Sequence, residues 1–349
     1  MLPAENLPTC PECENGPVSQ PMLGRRDFIR VLGASALATA LPLSPLAKAR
    51  AARAEKQAAA EQLVFELYGT MDGDQKKKLV LPWDYKAGNQ PLPARLMTVN
   101  APIGKSVIGL EYNKKQVELI DKIFRSIANG EEGYRQLSRN KTFDSTGDFE
   151  SAGCLIYGEP AEGKKFSLVF ASHHLTVRCD GNSEEKTAFG GPLYYGHSPS
   201  GYAKTNVFFD QTQAAMGVFD ALNAEQRKAA VLDNRGWKDE HGNNKVPAKS
   251  DKRPGLAFAD MTKDQTAQIE KLMKQLVAPY RKEDGDEVME IIKANGGMQQ
   301  ISLAFYKEKE SDQAKQQWSY WRLEGPGFVW SYRALPHIHT FVNISSKLA

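Results

Sequence analysis

The stretch Asn113–Gly130, "NKKQVELIDKIFRSIANG", sets how the rest of the chain is read. An Asn followed three residues later by Gln is a capping box, in which each side chain bonds the other residue's backbone N–H. Val117, Ile120, Phe124 and Ile127 then fall on one helical face, and Gly130 stops the run. The spacing predicts an amphipathic helix with one buried side. "TKDQTAQIEKLMKQLVAPY" repeats the design, with Thr262 and Gln265 as the box and Ile269, Leu272, Met273, Leu276 and Val277 as the apolar face. A shorter copy of the cap, "NAEQRKAA", begins at Asn223.

A β segment follows each long helix: "FSLVFASHHLTV" from Phe166 and "WSYWRLEGPGFVW" from Trp318. From cap to opening aromatic the distance is 53 residues in the first case (113 to 166) and 56 in the second (262 to 318). Both segments read as hairpins, one turning at Ser172–His173 and the other at Glu324–Gly327. The expected fold is α+β, an internal pseudo-duplication of a helix-plus-antiparallel-sheet unit, with halves at about 63–205 and 206–349. Composition fits a globular chain: 349 residues, 41% hydrophobic and 25% charged, enough for a sizeable core. A net charge of +3 gives no reason to expect nucleic acid or an acidic membrane surface as partner.

The N-terminal region reads differently. "GRRDFIRVLGASALATALPLSPLAKA" carries Arg25 and Arg26, an apolar run from Val31 to about Leu46, and the small-x-small end Ala47-Lys48-Ala49. Pro42 and Pro45 break the run, which is too short for a stable membrane span. The stretch resembles a twin-arginine export signal, with Gly24 and Arg30 as mild departures. Residues 1–49 are therefore expected to engage the twin-arginine export machinery and be removed, leaving 50–349 as one mature domain, periplasmic or extracellular. Cys10 and Cys13 of "CPEC" would be lost with the signal. For Cys154 and Cys179 the oxidising compartment permits a disulfide. Strand pairing opposes it. With Tyr157 opposite Phe166, Cys154 faces Val169, while Cys179 lies near Phe166 on the other side, so two buried free thiols are expected.

Taken in order, "HHLTV" after an aromatic strand, "GGPLYYGHSPSG", "NAEQRKAA" and the closing "WRLEGPGFVW…PHIHTF" resemble domain of unknown function family 3500, from about Leu63 to Val342. The resemblance implies an exported bacterial protein and brings no activity with it. Ser172 stands where that family usually has Gly, and Ser331 where an acidic residue is common.

Chemistry has to be read from the histidines. Four of the six lie in two short clusters, His173 and His174 in "ASHHLTV" and His337 and His339 in "RALPHIHTF". Residues i and i+2 of a strand share a face, so His337 and His339 can aim at one point. His173 and His174 would diverge in a regular strand but can converge in a turn. Three or four imidazoles make a metal site, and the absence of cysteine from the set points to copper, zinc or iron. This reading makes the protein a metal-dependent hydrolase or oxidoreductase, with whether it is an enzyme at all left open. The competing reading is a non-catalytic exported protein whose histidines form a structural cluster and whose aromatics bind a small molecule. Trp318, Trp321, Trp330 and Tyr332 would line its open sheet face, with His197 and Tyr195 nearby; the same aromatics fill a core equally well, and a strand so rich in them favours the core.

Other motifs carry less. "GHSPSG" imitates a nucleophile elbow, but Pro199 after Ser198 has no N–H for an oxyanion. "EDGDEVME" lacks calcium-loop spacing, and Lys-rich "DQKKKL" reads as a solvated helix face.

Overall fold

Capping boxes open four helices in the computed structural model, which describes residues 60–233, 252–309, 311 and 315–346. Asn113, Asn223 and Thr262 each accept from the N–H of the Gln three residues on, and the Gln side chain returns the bond. A fourth box, Asp72 with Gln75, opens the helix whose Lys-rich stretch, residues 74–79, reads in the sequence only as a solvated face. The helices are Gly73–Leu79, Lys114–Ile127, Ala224–Ala230 and Lys263–Val277. Ile120, Phe124 and Ile127 are buried as expected, as are all five apolar positions of the second long helix, while Val117 is half-buried.

The boxes are joined in pairs. Gln75 and Gln116 exchange amide bonds at 2.9 and 3.0 Å, and Gln226 and Gln265 do so at 3.0 and 2.8 Å. Each amide also donates to a backbone carbonyl: Gln75 to Glu111, Gln116 to Thr70, Gln226 to Asp260 and Gln265 to Ala221. An amide supplies donor and acceptor on one planar group. A carboxylate would still cap the helix but could not donate to its partner.

The strands are β1 Val80–Leu81, β2 Gly153–Gly158, β3 Phe166–Ser172, β4 Leu175–Cys179, β5 Leu193–His197, β6 Val231–Asp233, β7 Leu256–Ala257, β8 Ser302–Lys307, β9 Tyr320–Gly325, β10 Phe328–Arg333 and β11 Ile338–Ile344. They form one eleven-stranded sheet in the order β1-β2-β3-β4-β5-β11-β10-β9-β8-β6, with β7 on β8. Only the outermost pairs, β1 on β2 and β6 on β8, are parallel. Outward from the central β5·β11 pair, three antiparallel strands and a short parallel one follow on each side. The expected α+β architecture is present.

Both hairpins occur, turning at His173–His174 and at Pro326–Gly327. The β2–β3 register is one residue away from expectation. Gly158 opposes Phe166, so Cys154 faces Phe170, and Cys179 faces Leu168 from the other side of β3. Neither cysteine is in a disulfide, and burial pushes the Cys154 thiol up to about 12.

Helices cover one face of the sheet. Phe124 stacks on Phe170 with ring centroids 4.8 Å apart, Phe219 meets Phe305 edge-on at 4.9 Å, and the Tyr195 hydroxyl donates to Leu276 O at 2.6 Å. The segment 95–100 lies over the other face of β4. There Thr176 Oγ1 donates to Val99 O and accepts from Val99 N, and Arg178 bonds the carbonyls of Arg95 and Met97. Strands covered on both faces are buried along their whole length, as β3 and β4 are.

The open aromatic face is a reading the structure corrects. Trp318, Trp321, Trp330 and Tyr332 are 2%, 1%, 0% and 0% exposed, and the Tyr332 hydroxyl bonds Thr212 of helix Phe209–Asp220 at 2.7 Å. They pack the layer between sheet and helices because β9 and β10 are interior strands of that sheet. The signal stretch with Arg25, Arg26 and Ala49, and also Cys10 and Cys13, lies outside the described residues. Among the described residues no helix is long and apolar enough to cross a membrane.

Candidate metal centre

Register builds the site at one end of the central strand pair. His339 opposes Gly196 of β5 on one side and Arg333 of β10 on the other, so the three positions share a sheet face. His337 stands two residues earlier, and the rings meet as the i, i+2 spacing predicts, Nε2 to Nε2 at 2.9 Å. His174 is the second residue of the two-residue β3–β4 turn, and its Nε2 lies 3.2 Å from that of His337. The candidate ligand atoms of His174, His337 and His339 all lie within 4.8 Å of one another. The two histidine clusters of the sequence are therefore parts of one constellation.

Gly196 makes the approach possible. A Cβ there would stand 2.2 Å from Ile338 O, 3.2 Å from His339 Cδ2 and 3.3 Å from His174 Cβ. No side chain fits between the strands at this point.

Both His174 and its partner Asp144 hold left-handed backbone, with φ of 54° and 57°. Non-glycine residues pay for that conformation in strain, and it is concentrated where surrounding bonds over-determine the geometry. Here they do. His174 N donates to Asn100 Oδ1 at 2.6 Å, and its carbonyl accepts from Gly196 N at 2.8 Å. Asp144 accepts from Ser198 N at 2.9 Å, from Ser198 Oγ at 2.6 Å, and from His174 Nδ1 at 2.6 Å. Burial alone would raise the Asp144 pKa, but the bonds from His174 and Ser198 and the nearby Arg139 charge outweigh it and hold the carboxyl well below the usual range. Arg139, itself buried and lowered to about 10 by desolvation, donates to His173 O at 2.7 Å from behind the turn. An ionised Asp144 puts the His174 proton on Nδ1 and leaves the Nε2 lone pair pointing at His337.

His173 does not join the three. Its Nδ1 is 2.5 Å from Ser145 Oγ and its ring lies against that of His174, centroids 3.8 Å apart. It falls instead in a second group with Asp144 and His174. The turn brings the two adjacent rings together but bonds them to different partners, Ser145 for His173 and Asp144 for His174. His197 opposes Ile338, one residue out of phase with His339, and so faces the helix side, where its Nδ1 accepts from Val207 N at 3.2 Å. Burial lowers the pKa of both His173 and His197. Tyr195, Trp321 and Trp330 are core residues, and Ser198 serves as Asp144's anchor.

Sequence reading missed Asp144, Asn100, Gly196 and Arg333, and gave Tyr194 no role. The Arg333 guanidinium lies 3.2 Å from His337 Nε2, and the Tyr194 hydroxyl 3.3 Å from His339 Nε2. Gly196, Tyr194 and Arg333 alternate with the right phase once the β5·β11·β10 register is known. Asp144 lies in a polar loop with no local signal.

The set fits a metal ion. Ligand nitrogens at about 2.0–2.1 Å from one ion sit roughly 2.9–3.4 Å apart, depending on coordination number, and the two closest contacts here are 2.9 and 3.2 Å. Protons satisfy the cluster poorly. The single Nε2 lone pair of His337 faces Arg333, His174 and His339 at once.

The protein family of unknown function DUF3500 matches residues 53–345, and the chain belongs to it. No curated protein and no solved structure matches the chain.

Proposed function

We propose that His174, His337 and His339 bind one transition metal ion through Nε2 and that the protein is a metal-dependent enzyme, hydrolytic or oxidative. The observation that carries this reading is the orientation of His174. Asp144 accepts a hydrogen bond from its Nδ1–H at 2.6 Å, so the other nitrogen presents a lone pair to His337, and a cation between them is what three such nitrogens call for. Copper, zinc and iron all accept imidazole, and the buried cysteines stand outside the set. A bound ion would supply Lewis-acid or redox chemistry. Asp144 fixes the tautomer of His174, Ser198 fixes Asp144, and Gly196 gives the room. We further propose that residues 1–49 are a twin-arginine signal, supported by the arginine pair, the broken apolar run and the small-x-small end, and that the matching halves of the sheet descend from one duplicated unit.

The test is elemental analysis of protein purified without a histidine tag. About one equivalent of copper, zinc or iron is expected, lost in His174→Ala and His337→Ala and retained in His173→Ala. A folded protein that carries no metal and takes up none of the three when offered would sink the reading and leave a histidine cluster that only holds the fold together.

A further inference from the structure

We infer that Tyr194 is a fourth protein ligand, its phenolate oxygen completing the set begun by His174, His337 and His339. The inference rests on the metal reading above and extends it to the residue that sets the charge of the site. The Tyr194 hydroxyl lies 3.3 Å from His339 Nε2. That is the spacing of neighbouring ligand atoms around one ion. It continues the series in which His337 Nε2 stands 2.9 Å from that of His339 and 3.2 Å from that of His174.

Register puts the phenol there. Tyr194 opposes Phe341 and stands two residues before Gly196, which opposes His339, so all four share one sheet face. Tyr194 is 2% exposed. Its ring meets those of His339 and His174 edge-on, with interplanar angles of 89° and 75° and centroids 5.3 and 6.5 Å away. The phenol therefore stands with the two buried imidazoles rather than with half-buried His337.

Charge gives the reason for a phenolate. Three neutral imidazoles offset none of a divalent ion's charge, and a buried charge is costly without a counter-charge. The carboxylate of Asp144 is committed to His174 and Ser198. Coordination to a cation acidifies a thiol or a water, and a phenol follows the same rule: its proton leaves for solvent and the oxygen stays as an anionic ligand. A phenol oxygen has two lone pairs, so ligation leaves it room for a further hydrogen-bond partner.

Tyrosinate has its own absorption, which reads ligation without any turnover. The full metal-free chain is titrated separately with copper(II), zinc and iron(II) at about pH 8, where unbound phenols keep their proton. Each ion that binds should produce one tyrosinate per equivalent in the ultraviolet difference spectrum, and copper(II) a phenolate-to-metal charge-transfer band in the visible as well. Tyr194→Phe should give neither signal, release one proton fewer per ion bound, and lose on the order of tenfold or more in metal affinity. A role confined to the hydrogen bond with His339 would change affinity but produce no tyrosinate. One equivalent bound without a tyrosinate signal, or a signal that persists in Tyr194→Phe, overturns this inference and leaves the metal reading intact. The first of these outcomes is read on the wild type, so the test stands even should the variant misfold. If the wild type binds none of the three ions, both readings fall.

Discussion

Asp144 reaches His174 from a segment in which Arg139, Asn140, Lys141, Phe143 and Asp144 all have left-handed backbone. Such a run is costly for residues with a Cβ, and what it yields is one carboxylate aimed at one imidazole nitrogen. In Asp144→Asn the amide oxygen can still accept from Nδ1, but the charge that polarises His174 is gone. Metal affinity should fall about 10- to 100-fold, read by competition against a chromophoric chelator. The same carboxyl governs acid stability. Its pKa is lower in the folded than in the unfolded chain, so its contribution is complete above about pH 4, the unfolded value, and is lost as pH falls below that. Urea midpoints of the metal-free protein between pH 3 and 6 should drop more steeply for the wild type than for Asp144→Asn.

At the scale of elements, the paired capping boxes are the feature that ties helix starts to one another. Gln116 is 0% exposed, and its amide serves its own cap, Gln75 and the Thr70 carbonyl together. In Gln116→Glu the cap survives, while a buried carboxylate faces two acceptors that have lost their donor. The cost should be about 2–4 kcal/mol, measured by urea unfolding. Asn113→Asp, which keeps the capping acceptor, should change stability by less than about 1 kcal/mol. A loss in Gln116→Glu no larger than that in Asn113→Asp would mean that the amide exchange contributes little to stability.

Across the whole molecule, the site draws Asp144 and His174 from the first half of the chain and His337 and His339 from the second, joined where β5 meets β11. An ion held by both halves is bound by the native state and not by the unfolded chain, so it stabilises by mass action. At a thousandfold excess over its dissociation constant the gain is about 4 kcal/mol, and Tm should rise by on the order of 10 °C. Thermal unfolding with and without each metal checks this; no shift with copper, zinc or iron would count against a site that bridges the halves.

Much of this architecture is written locally. A capping box spans four residues and a helical face repeats within each turn, so the helices at Lys114–Ile127 and Lys263–Val277, both hairpins and the shared direction of His337 and His339 follow from the sequence by itself. Composition along the strands likewise pointed to a buried aromatic layer. Contacts between distant segments are another matter. His174 and His337 are 163 positions apart, and nothing in either neighbourhood specifies that they meet. Their meeting depends on the sheet order that makes β5 and β11 neighbours, and on a register in which one residue decides between His339 and Ile338 for the site face. Asp144 and Gly196 owe their roles to that same closure, which packing on both faces of the sheet enforces. Local sequence determined which elements form and which way their side chains alternate; only the tertiary structure decided which side chains converge, because strand order and register are set by burial across the whole sheet.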